Sequence, residues 1–436
     1  MKTSQYKVTG IIKGEQEMAG NEKVEGMLSP YRVLDLTDEK GLLCGKILGD
    51  LGADVIKIEK PGGDPARNLA PFYHDDPDPE KSLLWFALNT SKRGITLDIE
   101  VAEGQEILRN LVKSADFVVE SFPVGYLDKL GLGYSDMNKV RPGMILISIA
   151  PFGQTGPYKD WKTADIVAWA MGGEMENWGE PDRPPFRVSH HSQSYLNAGA
   201  DGVIGALMAL YHWESTGEGQ HIDVSIQEAV SLFDGGNRNP AWARNKTVRK
   251  RTETNRVGSM HKATQLWPCK DGYVSWSHGG PSPLAPSLPL IKWMESEGFT
   301  NDFLKEFDWT RRDFPGISQE EMDQIEEPTA RFFMSHTKAE LLEGAVKNKT
   351  MLYPVSTAAD MLENPQLASR GFWQKVEHPE LGAIITYPGA FAFTDEAPPT
   401  ISRRAPLIGE HNQEIYEQEL GISAEKLAAL KQAGVI

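Results

Sequence analysis

The first half of the chain alternates short apolar runs with segments of helical periodicity. The apolar runs predict buried strands at 32–37, 54–59, 116–120, 145–150 and 221–226. Between them, apolar residues recur at helical spacing within 42–51, 103–114, 126–140, 197–213 and 228–233. Successive strands joined by a helix pair in parallel through a right-handed crossover. The pattern therefore predicts an α/β domain on a parallel sheet, with ligand-binding loops at the carboxyl ends of its strands.

The second half of the chain lacks this alternation. Residues 238–256 are basic and polar without an apolar period, which indicates a segment crossing into a second, smaller domain. That domain is predicted to contain a hairpin-like pair of strands within 265–274, and an amphipathic helix is predicted at 424–432 near the end of the chain. The predicted organisation is a polar extension at 1–29, a large domain at 30–235, and a linker with a small domain at 236–394.

One stretch combines these patterns with a single acid. The predicted strand 145–150 runs into a loop containing two Gly and two Pro residues, and an apolar helix is predicted at 163–171. Asp165 lies at the start of that helix. Its carboxylate is open to two interpretations, a helix N-cap or first-turn acid and a catalytic carboxylate, and the local pattern favours the first.

Composition excludes several classes of function. No window approaches the ~18 apolar residues that a membrane span requires, and we expect neither a secretory signal nor a membrane association. Only two Cys residues occur, which suits a reducing, cytoplasmic location, and no His/Cys spacing indicates a metal site. A net charge of −16 disfavours nucleic-acid binding.

Basic residues nevertheless cluster along the predicted sheet. The glycines after the first strand do not form the G-x-G-x-x-G turn of nicotinamide-binding domains. On this acidic chain, basic residues at or near the predicted strand ends indicate a phosphate-bearing ligand. They are Lys57, Lys60, Arg67, Lys92, Arg93 and Lys129.

Eight ordered motifs extend along the chain. They are 34–37, 51–59, 89–98, 130–134, 153–158, 216–225, 364–372 and 406–412. With them, residues 31–436 resemble the class III CoA-transferases, the family of the formyl-CoA and carnitine-CoA transferases. The resemblance implies a Rossmann-like large domain completed by 395–436, a smaller α+β domain, and two chains interlocked as a homodimer or as a heteromer with a related subunit. It also implies coenzyme A as cosubstrate and no tightly bound cofactor.

The resemblance changes the interpretation of Asp165, which matches the family's catalytic aspartate. An ionised carboxylate can attack a thioester without a general base. The implied function is CoA transfer from an acyl-CoA donor, such as succinyl-CoA, to a carboxylic acid. The implied intermediates are a mixed anhydride and an aspartyl-CoA thioester on Asp165. A glycine-rich flap over these intermediates would correspond to Gly258, with 279–280 as a rival position.

The resemblance also implies residues that contact CoA. Lys92, within the segment from Asn89 to Arg93, matches a stretch along the adenosine. Lys60 and Lys129 match arginine positions, Lys129 at the CoA phosphates, and Phe122 matches an aromatic residue in the loop after Glu120. Together with Arg67, these residues form the predicted CoA-binding set.

Two alternatives remain open. Racemases of the family carry Gly-His-Asp where this chain has Thr163-Ala164-Asp165, so a racemase here would lack one expected base. The chain could instead be a non-catalytic subunit of a hetero-oligomeric transferase. Departures such as Lys40 and Ala150 argue against formyl-CoA as substrate. Nearby Arg183 and Arg187 are candidates to hold a second carboxylate of a dicarboxylic substrate, or are solvated.

Overall fold

A computed structural model provides the fold. It describes residues 26–179, 183–187, 189, 191–233, 242–244, 246, 262–279, 287–310 and 316–436. The strands are β1 Arg32–Leu36, β2 Asp54–Glu59, β3 Lys92–Thr96, β4 Phe117–Glu120, β5 Ile145–Ala150, β6 His221–Ser225, β7 Leu266–Cys269, β8 Gly272–Ser275, β9 Tyr353–Pro354, β10 Trp373–His378 and β11 Ala383–Pro388. The helices are α1 Leu42–Asp50, α2 Leu83–Leu88, α3 Ala102–Val112, α4 Tyr126–Lys129, α5 Tyr134–Val140, α6 Asp165–Met171, α7 Gln193–Thr216, α8 Ile226–Phe233, α9 Leu288–Ser296, α10 Asp302–Glu306, α11 Gln319–Met334, α12 Lys338–Asn348, α13 Ala358–Leu362, α14 Pro365–Ser369 and α15 Ala424–Gln432.

The first six strands form one parallel sheet, which confirms the predicted α/β class. Their order is β3-β2-β1-β4-β5-β6, and every neighbouring pair is parallel. This order is that of doubly wound dinucleotide-binding folds, in which the chain reverses direction across the sheet between β1 and β4. Such a reversal leaves a crevice at the carboxyl ends of the two strands, where ligands bind.

The sheet is buried on both faces. One face packs against α1, α7 and α8, and the other against α3 and the C-terminal segment. Glycines bring α7 unusually close to its neighbours: a Cβ on Gly199 would lie 3.0 Å from the Cβ of Leu43, and one on Gly202 would lie 3.2 Å from the Cys44 sulfur. This close packing fixes the position of α7 beside the sheet, which matters because the start of α7 contributes to the site.

Two further packing units lie outside the two cores of the parallel sheet. Residues between Ala263 and Leu352 form a separate core that includes the antiparallel β7-β8-β9 sheet. The β10-β11 hairpin, which the sequence did not predict, instead packs against residues of α1 and α2. The domain boundaries and the interlocked dimer therefore stay predictions, although the core of 263–352 lies inside the predicted small domain.

The C-terminal segment, which begins with the motif 406–412, lies against the sheet. Ile415, Tyr416 and Leu430 join the core beneath the sheet. The Tyr416 hydroxyl donates to the Thr96 carbonyl across 2.6 Å, which ties the segment to β3. Among the described residues, no helix is long and apolar enough to cross a membrane.

Candidate active site

Asp165 opens α6 but does not cap it. The N-cap position belongs to Ala164, in extended conformation, and no side chain caps the helix. The Asp165 side chain is instead directed inward, and the residue is only 4% exposed. Asp165 is therefore a first-turn acid, as the first of the two sequence interpretations allowed. Its carboxylate, however, bonds residues elsewhere in the chain.

Three donors hold this carboxylate. Oδ1 accepts hydrogen bonds from the Ser194 backbone N–H at 2.9 Å and the Ser194 hydroxyl at 2.7 Å. Oδ2 accepts from Arg187 Nε at 2.9 Å. Ser194 is the second residue of α7, a 24-residue helix whose own N-cap side chain makes no capping bond. The carboxylate thus satisfies a helix N–H that has no intrahelical partner, at the positive end of the helix dipole.

Glu39 and Tyr195 also lie near this carboxylate. Burial raises the pKa of Glu39, and the negative charges of Asp38, Asp64 and Asp165 raise it further, against the effect of Lys40. Burial likewise raises the pKa of Tyr195, with contributions from Glu39 and Asp165. Sequence reasoning missed both residues. Only their positions in the sequence could have indicated them, because Glu39 follows β1 and Tyr195 is next to Ser194.

A cleft of about 560 Å³ lies at the carboxyl ends of β1, β2 and β4. It is lined by residues 36–38, 58–61, 63–65 and 121–123, with Lys40, Leu97 and Ile99. The cleft therefore occupies the point where the strand order reverses, which is where this fold type binds ligands. Glu39 connects the two features, because it responds to the charges of Asp38 and Asp64 at the cleft and of Asp165 beyond it.

Two members of the predicted CoA-binding set line this cleft. Lys60 is exposed and pairs with Glu100 at 2.8 Å. Phe122 is half-buried and stacks on Tyr126 with ring centroids 4.7 Å apart. Lys129 is exposed at the end of α4 and is not part of the lining.

Three other members of the set are buried and bonded inside the protein. Arg67 is 1% exposed, contacts Glu59 at 2.6 Å and Glu80 at 2.7 Å, and stacks over Trp85. Lys92 is fully buried, and its Nζ donates to Asp35 Oδ2 at 2.7 Å, Asn89 Oδ1 at 2.9 Å and a carbonyl oxygen. Arg67, Asn89 and Lys92 therefore present no polar atom to a ligand here, and a direct contact with CoA is not supported.

The prediction that all the basic residues lie near the carboxyl ends of strands is wrong for Lys92 and Arg93. They begin β3, where Lys92 pairs with Val55 and Arg93 with Ile56. Arg93 bonds Asp54 at 2.6 Å and Glu414 at 2.7 Å, which anchors the C-terminal segment. The sequence placed these residues wrongly because the strand begins at Lys92, where a polar turn was expected.

Some predicted residues cannot be placed. Gly258 and the sequence around it lie outside the described residues, as does Gly280 of the rival flap. Residues 1–25 of the predicted extension also lie outside them, whereas Leu28 is buried in the core against α1. Among the described residues, no group of three or more His, Cys, Asp or Glu side chains could hold a metal ion.

A row of polar side chains lies on β4, β5 and β6, with Glu120 and Ser148 buried and His221 exposed. The Ser148 hydroxyl lies 2.9 Å from His221 Nε2 and bonds the Glu120 carboxyl group, whose Oε2 also accepts from the Phe122 N–H. Burial raises the pKa of Glu120 to about 7, and the charges of Asp128 and Asp38 act in the same direction. Glu120 is therefore neutral in the folded protein at mildly acidic pH, where a glutamate of the unfolded chain is ionised.

This difference predicts a pH-dependent stability. Because the folded state retains the proton from about pH 4.5 to about pH 7, the free energy of unfolding falls as pH rises through that window. Glu120→Gln removes this decline, so the variant is expected to gain roughly 3 kcal/mol relative to wild type across the window. Urea unfolding at several pH values measures the difference. Glu103→Gln, on the exposed face of α3, is the control, and a flat difference for Glu120→Gln would contradict the assignment.

Comparison with known proteins agrees with this geometry. Residues 28–412 match CoA-transferase family III. The chain is 35% identical to the succinyl-CoA:(R)-benzylsuccinate CoA-transferase subunit BbsE of Thauera aromatica, over 94% of this chain and 98% of that protein. It is 31% identical to formyl-CoA:oxalate CoA-transferase of Streptomyces avermitilis, over 94% of this chain and 99% of that protein. A solved CAIB/BAIF family structure from Brucella suis matches with a TM-score of 0.77 at 28% identity, covering 90% of this chain and 99% of that one. The chain is thus a CoA-transferase and belongs to CoA-transferase family III.

Proposed function

We propose that this protein transfers CoA from succinyl-CoA to a carboxylic acid through covalent intermediates on Asp165. The observation that carries the proposal is one buried carboxylate, held by Arg187 and the start of α7, whose charge acts on Glu39 together with the charges of Asp38 and Asp64 of the cleft. In this arrangement three donors orient the carboxylate and burial protects it from water, as a carboxylate nucleophile requires.

The reaction balances without a proton transfer. Oδ2 of Asp165 attacks the thioester carbonyl carbon, forming a C–O bond while the C–S bond breaks and CoA leaves as a thiolate. The thiolate then attacks the aspartyl carbonyl carbon of the anhydride, which releases the donor acid and leaves CoA on Asp165. The acceptor carboxylate takes the CoA by the same two steps in reverse.

Ser194 has a defined part in this scheme. Oδ2 carries one hydrogen bond and Oδ1 two, so Oδ2 is the less engaged nucleophile. Once Oδ2 is acylated, Oδ1 is the aspartyl carbonyl oxygen, and it becomes an oxyanion when the thiolate adds. The Ser194 N–H and hydroxyl already point at Oδ1, so they would stabilise that charge without rearrangement.

The choice of donor rests on charge near the nucleophile. The two named relatives use different donors according to their names, succinyl-CoA and formyl-CoA. The Arg187 guanidinium beside Asp165 suits an acyl group with its own carboxylate, which succinyl has and formyl lacks. Both this charge and the higher identity to the succinyl-CoA enzyme support succinyl-CoA.

Exchange of label tests the proposal without knowledge of the acceptor. Purified protein, succinyl-CoA and ¹³C-labelled succinate are expected to yield labelled succinyl-CoA, because the full covalent cycle runs in both directions. A racemase of the same fold would instead exchange the α-hydrogen of an acyl-CoA with deuterium from the solvent and incorporate no labelled acid. Absence of label in the CoA ester would contradict the proposed transfer.

A subunit contact is supported by one face of α7. Ile204, Leu207, Met208 and Tyr211 recur at helical spacing and are 37–79% exposed. An apolar stripe of this kind on a soluble protein indicates an interface. We assign it to a second chain of the same family, either another copy or a related subunit, as the word "subunit" in the name of the first relative suggests.

A further inference from the structure

Arg187 has hydrogen-bonding capacity that the resting site does not use. Its Nε donates to Asp165 Oδ2, and its side chain is 34% exposed. Within the described part of the chain, its two terminal nitrogens make no hydrogen bond. A guanidinium offers five N–H donors in a planar fork that fits a carboxylate with two parallel bonds. Arg187 therefore retains the part of the fork that could bind a second anion.

The proposed reaction removes the resting partner of Arg187. When Oδ2 forms its bond to the acyl carbon, the negative charge of Asp165 passes to the CoA sulfur. The guanidinium then faces a neutral anhydride, and later a neutral thioester. A cation in a partly buried site is costly when it loses its counter-ion, so another anion must replace the carboxylate if the intermediates are to be stabilised.

The neighbouring groups of this protein are poor replacements. Glu39 is the other acid coupled to the site, but burial and nearby carboxylates raise its pKa, which disfavours its charged form. Tyr195 is buried, and its raised pKa keeps its phenol neutral at physiological pH. Neither makes a hydrogen bond to Arg187 in the described structure. Among the residues that the structure describes, neither group replaces Asp165, which leaves an anion of the substrate as the counter-ion.

We propose that Arg187 selects dicarboxylic acids. While Asp165 is part of the anhydride, Arg187 pairs with the distal carboxylate of the bound acyl group in place of Asp165. The inference rests on the proposed function and deepens it. It applies to donor and acceptor alike, because each acid occupies the same anhydride in turn. A monocarboxylic acyl group would place an alkyl group beside an unpaired guanidinium, so its anhydride is destabilised.

Two identity exchanges measure this selectivity with matched probes. One pairs succinyl-CoA with labelled succinate, and the other pairs butyryl-CoA with labelled butyrate, which differs by a methyl group in place of the distal carboxylate. Wild type is expected to favour the succinate pair in kcat/KM. Arg187→Met is expected to lower that preference by roughly 10- to 100-fold, the range for one charge-assisted hydrogen-bonded contact.

Two further variants make the result specific. Arg187→Lys keeps the cation but loses the planar fork, so it should retain part of the succinate preference even if both rates fall. Arg331→Met alters an exposed arginine of α11 that pairs with Glu327, and it should leave the preference unchanged. A loss of preference in Arg187→Met that Arg187→Lys restores therefore reports the charge and not a failure to fold.

The outcomes distinguish a failure of the role proposed for Arg187 from a failure of the proposed CoA transfer. Equal wild-type exchange of succinate and butyrate would overturn the role of Arg187 and leave CoA transfer intact. An undiminished preference in Arg187→Met, or its loss in Arg187→Lys as well, would also overturn it. No exchange by wild type with either pair would contradict the proposed function itself, and the inference with it.

Discussion

Asp165→Asn is expected to lower CoA transfer by about 10³-fold or more while the protein remains folded. The amide cannot form the anhydride, and loss of a covalent nucleophile commonly costs at least this much. Its oxygen still accepts the two hydrogen bonds from Ser194, so the start of α7 keeps its partner. Asp165→Ala would lose that partner too and should cost about 1–3 kcal/mol of stability in addition. Rates of label exchange and urea unfolding measure the two effects separately.

Glu326→Gln is the matched control for this substitution. Glu326 accepts from the Thr264 N–H at 2.5 Å and the Thr264 hydroxyl at 2.8 Å, so its contacts resemble those of Asp165 with Ser194. It lies in α11, outside the parallel sheet, and should retain transfer close to wild type. An Asp165→Asn variant with more than about a tenth of wild-type turnover, or an equal loss in Glu326→Gln, would contradict the nucleophile assignment.

Lys92→Met is expected to destabilise the fold by about 3–5 kcal/mol, because it breaks a fully buried ion pair. The substitution would leave the buried Asp35 carboxylate without the ammonium that lies 2.7 Å away. Burial alone would raise the pKa of Asp35, but the charges of Lys92 and Lys57 and the Thr37 hydroxyl outweigh it and hold that pKa below its usual value. Urea unfolding at neutral pH measures the loss.

Lys60→Met provides the contrasting case. Lys60 and Glu100 are both more than half exposed, so their pair adds little to the stability of the fold. Removing a cation from the cleft should instead weaken CoA binding, with a loss that shrinks as salt is added. If Lys92→Met kept wild-type stability and lost only CoA affinity, Lys92 would be a ligand contact and the buried-pair interpretation would be wrong.

The strands were the most predictable part of the fold. The bounds of β2 and β5 agree with the strands predicted at 54–59 and 145–150, because both segments are rich in β-branched residues and lie between turn residues. The β10-β11 hairpin was missed because most residues of β10 are polar and half of the residues of β11 are exposed. Their pairing is set by packing against the large sheet unit, which local periodicity does not encode.

The site, like the fold, was only partly predictable from the sequence. The resemblance identified Asp165, but its partners Arg187 and Ser194 are 22 and 29 residues away, and only tertiary packing brings them to it. Basic residues were assigned to the ligand by their position along the chain. The charge of a residue does not reveal whether it is buried. The sequence therefore does not distinguish Lys92, which is buried against Asp35, from Lys60, which is exposed.

Chemical trapping tests the central claim most directly. Wild-type protein incubated with succinyl-CoA and then hydroxylamine should carry a hydroxamate on the tryptic peptide 163–187, which begins after Lys162 and ends at Arg187 because Pro184 blocks cleavage after Arg183. Fragmentation of that peptide is predicted to place the modification on Asp165, and Asp165→Asn should give none. A hydroxamate on another carboxylate, or on none while label exchange proceeds, would contradict covalent catalysis by Asp165.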